Sequence, residues 1–193
     1  EDGIRDIGVT GVQTCALPIC YKLGDHSTWV KHTNFECDTR VPLIVRDPRL
    51  PGNQSTRRLV ELIDLYPTLC DLTGIPTPVH CQGRSFRKLL DDPSAGHRLD
   101  SYSSYPAGNL VGHSIRFLDY RYTEWRDAEG KLKTRVLTDL KADPGEVTNV
   151  VDDPKHAEAL ARGVERLEYR ITLSKTEKKT LAKPQVKIGR AHV

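Results

Sequence analysis

The sequence lacks features that would place it in several common protein classes. It has no methionine among its 193 residues, so we expect it to begin within a longer protein. No apolar run is long enough to span a bilayer and no signal peptide is visible, so a membrane is not an expected partner. Its five cysteines form no Cys-x-x-Cys pair, which leaves a zinc ribbon or a thioredoxin motif without support.

A strong charge of one sign is also lacking. The formal net charge of +3 is too small to indicate a nucleic-acid partner, and the composition is that of an ordinary globular protein with 37% hydrophobic and 28% charged residues. Several basic side chains lie near the end of the chain, and we interpret them as a solvated helix face or tail: Lys175, Lys178, Lys179, Lys183 and Lys187.

One stretch, residues 21–45, combines groups that can bind an anion with a short apolar run. Its first half carries Lys22, His26, Lys31 and His32, and its second half, residues 41–45, favours a buried or edge strand. A polar loop that leads directly into a strand holds reactive side chains on a rigid support. On spacing alone, however, a solvated surface loop is the favoured interpretation.

The same stretch resembles the type I sulfatases of the alkaline-phosphatase-like superfamily, especially the iduronate sulfatase-like branch. That family has the pattern Leu-Gly-(Asp/Glu)-His-x-x-Trp-x-Lys-x-x-Asn-Phe followed by Arg-Val-Pro-Leu-Ile. The matching residues occur here in the same order: Leu23-Gly24-Asp25-His26, Trp29, Lys31, Asn34-Phe35 and Arg40-Val41-Pro42-Leu43-Ile44. The resemblance continues with gaps to about Pro154, so it covers most of the chain.

The resemblance implies an α/β fold, the C-terminal part of an alkaline-phosphatase-like sulfatase, ending in a small four-stranded antiparallel sheet with a C-terminal helix. Residues 20–94 would be the C-terminal part of the large domain and residues 95–187 a small subdomain. The residue pattern itself predicts four strands, at residues 99–105, 113–118, 120–125 and 135–140.

Three helices are predicted from capping and apolar spacing. The first starts from Ser55 or Thr56 and carries apolar residues from Leu59 to Leu65, and a second starts at Pro67 and ends at Gly74. The last is capped by Asp153, opens at Pro154 and presents one apolar face: Ala157, Leu160, Val164 and Leu167. Cys37, Cys70 and Cys81 are interpreted as buried or unpaired thiols, and no motif supports a bridge between Cys70 and Cys81.

Both ends of the chain resemble translated adapter sequence. One sequencing-library oligonucleotide, read on opposite strands, encodes residues 9–19 and residues 187–193. We therefore expect residues 1–19 and 188–193 to be non-native and exclude them from reasoning about the fold. Nucleotide sequence with other codons at these positions would refute this expectation.

The resemblance also assigns roles to individual residues. Lys31 aligns with the family lysine that contacts the sulfate, and His26 either donates a hydrogen bond to substrate or braces the loop through Asp25. Tyr21 and His32 match positions that face the sugar. No residue of this chain is expected to bind metal, because the calcium ligands and the Cys/Ser-x-Pro-x-Arg motif that yields formylglycine do not occur in it.

These assignments predict a sulfuric ester hydrolase of sulfated carbohydrate, such as glycosaminoglycan or algal polysaccharide, present here as an inactive fragment. The intact protein is expected in the periplasm or outside the cell, and the sequence assigns no oligomeric state. Three alternatives are a phosphoester or phosphonate hydrolase of the same superfamily, a non-catalytic carbohydrate-binding module, and a basic nucleic-acid binder.

Overall fold

The computed structural model describes residues 13–16, 22–31 and 33–181. Within them lie four helices: α1 (Glu36–Thr39), α2 (Leu65–Thr73), α3 (Arg87–Asp91) and α4 (Ala157–Leu181). The strands are β1 (Gln13–Ala16), β2 (Lys22–Leu23), β3 (Trp29–Val30), β4 (Leu43–Arg46), β5 (Asp100–Ala107), β6 (Leu110–Phe117), β7 (Tyr120–Arg126) and β8 (Leu132–Asp139). Short 3-10 turns occur at Asp25–Ser27, Leu62–Asp64 and Pro154–His156.

The C-terminal half forms a four-stranded antiparallel sheet in the order β5-β6-β7-β8, here called the terminal sheet. Across it, Tyr102 pairs with Ile115, Ile115 with Tyr122, and Tyr122 with Leu137, so these side chains share one face. The predicted four-stranded sheet is confirmed. Two strands begin earlier than the pattern indicated, since β6 starts at Leu110 and β8 at Leu132.

Helix α4 covers that face and completes the hydrophobic core. The buried core residues come from the sheet, the helix and the segment between them: Ile115, Phe117, Tyr122, Leu137, Val151, Leu167 and Ile171. The predicted cap is confirmed, because Asp153 Oδ1 accepts the Lys155 N–H at 2.9 Å. Ala157 is exposed rather than part of the apolar face. Gly163 lies where a Cβ would come within 2.8 Å of Tyr122 Cβ, so glycine permits close packing of helix on sheet.

Residues 22–94, here called the end piece, depart from one helix prediction. No helix starts at Ser55 or Thr56, because a reciprocal capping box between Glu61 and Asp64 starts the helical segment only at Leu62. Thr56 instead donates its hydroxyl to the Pro93 carbonyl at 2.7 Å.

Helix α2 then begins at Leu65 and runs through Pro67. Pro67 lies in the first turn, where its missing N–H leaves no intrahelical hydrogen bond unmade. Gly74 adopts a φ of 71° at the C-terminal end, as the sequence predicted.

A buried ion-pair network joins the end piece to the terminal sheet. Asp64 is fully buried and accepts two hydrogen bonds from Arg98, at 2.7 and 2.5 Å, and one from the Arg84 N–H at 2.7 Å. Burial disfavours the charged carboxylate, but these donors outweigh it and hold the pKa of Asp64 below its ordinary value. Glu61 extends the network by accepting the Tyr102 N–H at 2.7 Å and pairing with Arg170 on α4.

Strand β1 pairs antiparallel with β4, although β1 lies in the segment predicted to be non-native. Cys37, Cys70 and Cys81 are free thiols, so Cys70 and Cys81 are not bridged. Across the described ranges, no helix has the length and apolar character needed to cross a membrane.

Candidate functional site

A short hairpin presents the first candidate residue. Strands β2 and β3 pair antiparallel, and the turn between them places Gly24, His26 and Ser27 at φ values of 122°, 52° and 55°. Positive φ is costly for residues with a Cβ and persists where surrounding contacts hold it. The Ser27 N–H donates to the Gly24 carbonyl at 3.0 Å, which closes the turn. The hairpin therefore holds His26 in a constrained backbone conformation.

The His26 ring stacks on Phe35, with ring centroids 3.9 Å apart and an interplanar angle of 7°. No hydrogen bond between His26 and Asp25 is found in the part of the chain that the structure describes. Stacking on Phe35 therefore replaces the predicted brace through Asp25. Residues 26–36, here called the lysine loop, are closed on themselves by this contact.

Lys22 is not available to an anion, contrary to the expectation for the first half of the stretch. Its side chain is 1% exposed, with Nζ 3.2 Å from Asp38 Oδ2 and 3.3 Å from Thr33 Oγ1. Thr33 in turn donates its hydroxyl to Asp38. The Lys22 ammonium is thus neutralised by a buried ion pair that joins β2 to α1, and Thr33 links the lysine loop to the same pair.

Lys31 lies directly after β3 and is exposed. Among residues 22–31 and 33–174, no carboxylate forms an ion pair with its ammonium group. Its charge is therefore open to an external anion. Tyr21 and His32, predicted to face a sugar, lie outside the described residues.

Asn34 fixes the lysine loop to the terminal sheet. Its side-chain amide donates to the Gly112 carbonyl at 3.0 Å and accepts the Ser103 hydroxyl at 3.1 Å. A Cβ at position 112 would lie 2.8 Å from Asn34 Nδ2, so the contact requires glycine there. Asn34 belongs to the Asn-Phe part of the motif, and the motif gives no sign that Gly112 and Ser103 are its partners.

Glu36 and Glu146 make a second connection that the sequence analysis missed. The Glu36 N–H donates to Glu146 Oε2 at 2.5 Å. Arg121 forms ion pairs with the carboxylates of both Glu36 and Glu146, and its Nε lies 3.0 Å from Glu146 Oε1. Burial raises the pKa of Glu146, while the charge of Arg121 opposes that rise. Glu146 belongs to the Asp-Pro-Gly-Glu turn, which the sequence indicates as a turn and nothing more.

A wide cleft of about 1260 Å³ lies between the lysine loop, the end piece and the terminal sheet. Its acidic lining residues are paired, because Asp38, Asp47, Glu61 and Glu36 bind Lys22, Arg49, Arg98 and Arg121 respectively. Its exposed lining cations include Lys31, Arg46, Arg57 and Arg58. The cleft therefore carries a surplus of positive charge that suits an anionic ligand.

A metal ion has no evident ligands in this region. Over the described ranges, no group of three or more His, Cys, Asp or Glu side chains is arranged to hold one. These residues do not fit calcium, which prefers six to eight oxygen ligands.

Comparison with known proteins identifies the family. Residues 24–172 match the family model for N-sulphoglucosamine sulphohydrolase, C-terminal. The chain belongs to this sulfatase family. Among curated relatives, delta 4,5-hexuronate-2-O-sulfatase of Bacteroides thetaiotaomicron is 31% identical over 171 residues, covering 82% of this chain and 34% of that protein. Iduronate 2-sulfatase of Mus musculus is 28% identical, covering 70% of this chain and 37% of the relative.

Solved structures agree with the sulfatase family. A 2-O GAG sulfatase shares 29% identity with a TM-score of 0.63, covering 80% of this chain and 35% of that one. The phosphonate monoester hydrolase of Agrobacterium radiobacter shares 26% identity with a TM-score of 0.66, covering 80% and 33%. The sulfatase-family chain thus spans only about a third of the length of these proteins.

Proposed function

We propose that the intact protein is a sulfuric ester hydrolase of sulfated carbohydrate, such as a glycosaminoglycan or an algal polysaccharide. This chain would supply the lysine of its sulfate site. The observation that carries the proposal is the exposed ammonium group of Lys31, which has no carboxylate partner among the described residues and lines a cleft with surplus positive charge. The relatives named for sulfatase activity on uronic acids and glycosaminoglycans support the same substrate class.

Lys31 would stabilise negative charge on the sulfuryl group during transfer. A unit charge about 4 Å away attracts an ammonium by about 1 kcal/mol in water and about 4 kcal/mol at an effective dielectric near 20. The contribution would therefore be larger where a bound substrate excludes water from the cleft. His26, held flat against Phe35, would present a ring nitrogen to substrate from the same loop.

Formylglycine as nucleophile and calcium as Lewis acid are proposed for the intact enzyme. We place both in the part of the protein outside this chain, because the described residues do not fit the metal and the nucleophile motif is absent from the sequence. No step through either group is assigned to the present residues.

The first test is anion binding by the chain itself. We expect a sulfated uronic-acid disaccharide to shift the amide resonances of the lysine loop, and its desulfated counterpart to leave them unchanged. Lys31→Gln should weaken binding about fivefold, the loss of about 1 kcal/mol at an exposed site, while Lys31→Arg should largely retain it. Lys141→Gln removes an exposed lysine in the turn after β8 and serves as the matched control.

Equal binding by wild type and Lys31→Gln would contradict the proposal and favour a carbohydrate-binding surface elsewhere on the chain. Sulfatase turnover by the purified chain would contradict the expectation from the sequence that this fragment is inactive alone.

A second candidate is hydrolysis of phosphonate monoesters, favoured by the similarity to the Agrobacterium enzyme. A lysine ammonium binds a phosphonate oxygen as readily as a sulfate oxygen, so Lys31 does not separate the two. Tighter binding of a methylphosphonate monoester than of the matched sulfate ester, lost in Lys31→Gln, would favour this candidate.

A further inference from the structure

The lysine loop is held by contacts on both sides of Lys31. At its start, His26 stacks on Phe35, and at its end the chain enters α1 at Glu36. The Lys31 side chain lies between these points and is exposed. The contacts that fix Phe35 and Glu36, together with those of Thr33 and Asn34, therefore set where the ammonium group can reach.

Glu146 contacts the end of that loop from a distant part of the chain. It lies in the turn after β8, and its side chain is only 2% exposed. Oε2 accepts the main-chain N–H of Glu36, a residue 110 positions earlier, at 2.5 Å. The accepted N–H belongs to the first residue of α1, whose four-residue helix has no side-chain cap from its own N-cap residue.

The backbone of Glu146 adopts a conformation that is unfavourable for a residue with a side chain. Its φ is 54°, in the left-handed region that disfavours residues with a Cβ. The preceding residue is Gly145, which could take such a conformation without that cost, yet the positive φ falls on the glutamate. The strained backbone aims the carboxylate at Arg121 and at the Glu36 N–H.

Arg121 makes the contact rigid. Its guanidinium pairs with both Glu36 and Glu146 and donates to the Thr39 hydroxyl at 3.0 Å, so it bridges α1 and the turn after β8. Arg121 is itself held on β7, where its Nη1 donates to Ser114 Oγ at 3.2 Å. The terminal sheet is thus the support on which the end of the lysine loop rests.

We propose that Glu146 is a positioning residue for the sulfate-facing lysine, acting through the Glu36 N–H. The inference rests on the proposed function for the role of Lys31, but the contact itself does not. The Glu146 carboxylate binds Arg121 and the Glu36 N–H, so it would act on the loop and not on the anion. It fixes Glu36 and Phe35, and through them the loop that carries Lys31.

The test compares Glu146→Ala with Glu146→Gln and with Glu129→Ala, which removes an exposed glutamate from another turn of the same sheet. Hydrogen exchange at the Glu36 amide is read by NMR. Because a hydrogen bond to a charged acceptor is lost, exchange in Glu146→Ala should become about ten- to a hundredfold faster. Glu146→Gln keeps an acceptor and should restore most of the protection, and Glu129→Ala should change nothing.

Amides in β6 and β7 separate positioning from general stability. Equal acceleration there would show that Glu146 only stabilises the sheet, which would overturn the inference. Unchanged exchange at Glu36 would overturn it as well.

Binding of the sulfated disaccharide gives the second readout. Glu146→Ala should weaken it severalfold, and this effect should vanish in a Lys31→Gln background if Glu146 acts through the lysine. In a third outcome, Glu146→Ala speeds exchange at Glu36 but leaves binding unchanged, while Lys31→Gln still weakens binding. That result would contradict the positioning role and leave the proposed function supported. If Lys31→Gln has no effect on binding, the proposed function fails, and Glu36 exchange alone then decides whether Glu146 fixes the loop.

Discussion

The terminal sheet and the end piece bury their apolar side chains to different extents. In the terminal sheet, the aromatic and aliphatic residues of one face are covered by α4, and Ile115, Phe117 and Leu137 are fully buried. In the end piece, many large apolar side chains remain exposed: Leu23, Trp29, Ile44, Leu62, Ile63, Tyr66, Ile75 and Val79. Its buried apolar residues are fewer: Cys70, Leu72, Phe86 and Leu89.

The difference indicates that the two regions depend to different extents on apolar burial. Apolar burial stabilises by about 25 cal/mol per Å² of buried surface. Because α4 buries one face of the terminal sheet, the sheet has a hydrophobic core of its own. The end piece depends on directed polar contacts with that sheet, through Asp64 and Arg98 on one side and Asn34 and Glu36 on the other. The candidate site therefore lies on the region that has the smaller core. Its conformation is fixed by polar contacts with the terminal sheet.

The largest effect is expected from cutting the buried network at the junction. Asp64→Ala leaves the buried guanidinium of Arg98 without its closest partner, which should cost about 3–5 kcal/mol in the free energy of unfolding. Urea denaturation at pH 7 measures the loss, and hydrogen exchange should show α2 opening more than β6. Asp152→Ala is the control, because that side chain is 90% exposed and its pair with Arg135 spans 3.9 Å.

The same variant has a defined pH dependence. The folded-state pKa of Asp64 lies below its ordinary value of 3.8, so the stabilisation is complete above that value and is lost as pH falls through the folded-state pKa. The stability difference between wild type and Asp64→Ala should therefore shrink below about pH 4. A difference that stays constant into strong acid would show that the carboxylate charge is not what joins the two regions.

A smaller effect is expected from crowding the core of the terminal sheet. Gly163→Ala places a methyl group 2.8 Å from Tyr122 Cβ. Overpacking of this kind costs about 1–3 kcal/mol, and the higher helix propensity of alanine returns about 1 kcal/mol, so a net loss of about 1 kcal/mol is expected. Gly96→Ala, at a position with no atom within 4 Å, should be neutral. A gain in thermal stability for Gly163→Ala would mean that α4 packs less tightly than the structure shows.

The smallest effect is expected at the exposed apolar surface of the end piece. Trp29 is 67% exposed, so Trp29→Ala should change the free energy of unfolding by less than about 0.5 kcal/mol. Phe117→Ala, at a fully buried side chain of the terminal sheet, should cost about 3 kcal/mol or more and provides the contrast. A loss above 1 kcal/mol for Trp29→Ala would remove the distinction between the two regions.

Local features of the fold were predictable because neighbouring residues encode them. Alternating apolar residues predicted the four strands, and the sequence Asp153-Pro154 predicted where the last helical segment begins. The prediction of a helix starting at Ser55 or Thr56 was wrong. The helical segment starts at Leu62, after a capping box formed by Glu61 and Asp64 that the apolar spacing does not reveal. Capping is a matter of which side chain reaches which N–H, and apolar spacing carries no such information.

The candidate site divides in the same way. The motif placed His26 and Lys31 on one loop, and the structure keeps them there. The motif could not distinguish Lys22 from Lys31. Lys22 is neutralised by an ion pair with Asp38, and that pair forms only in the folded chain. Glu146 could not be found from the sequence either, because its partner Glu36 lies 110 residues earlier.

The order of residues by itself determined the family and the terminal sheet, and its motif singled out Lys31. Tertiary structure alone decided which charges are neutralised, which turn reaches the lysine loop, and where the cleft opens. The physical reason is range. Strand alternation and helix starts depend on atoms a few residues apart, whereas ion pairs such as Arg121 with Glu36 and Glu146 exist only after distant segments are brought together by burial of the core.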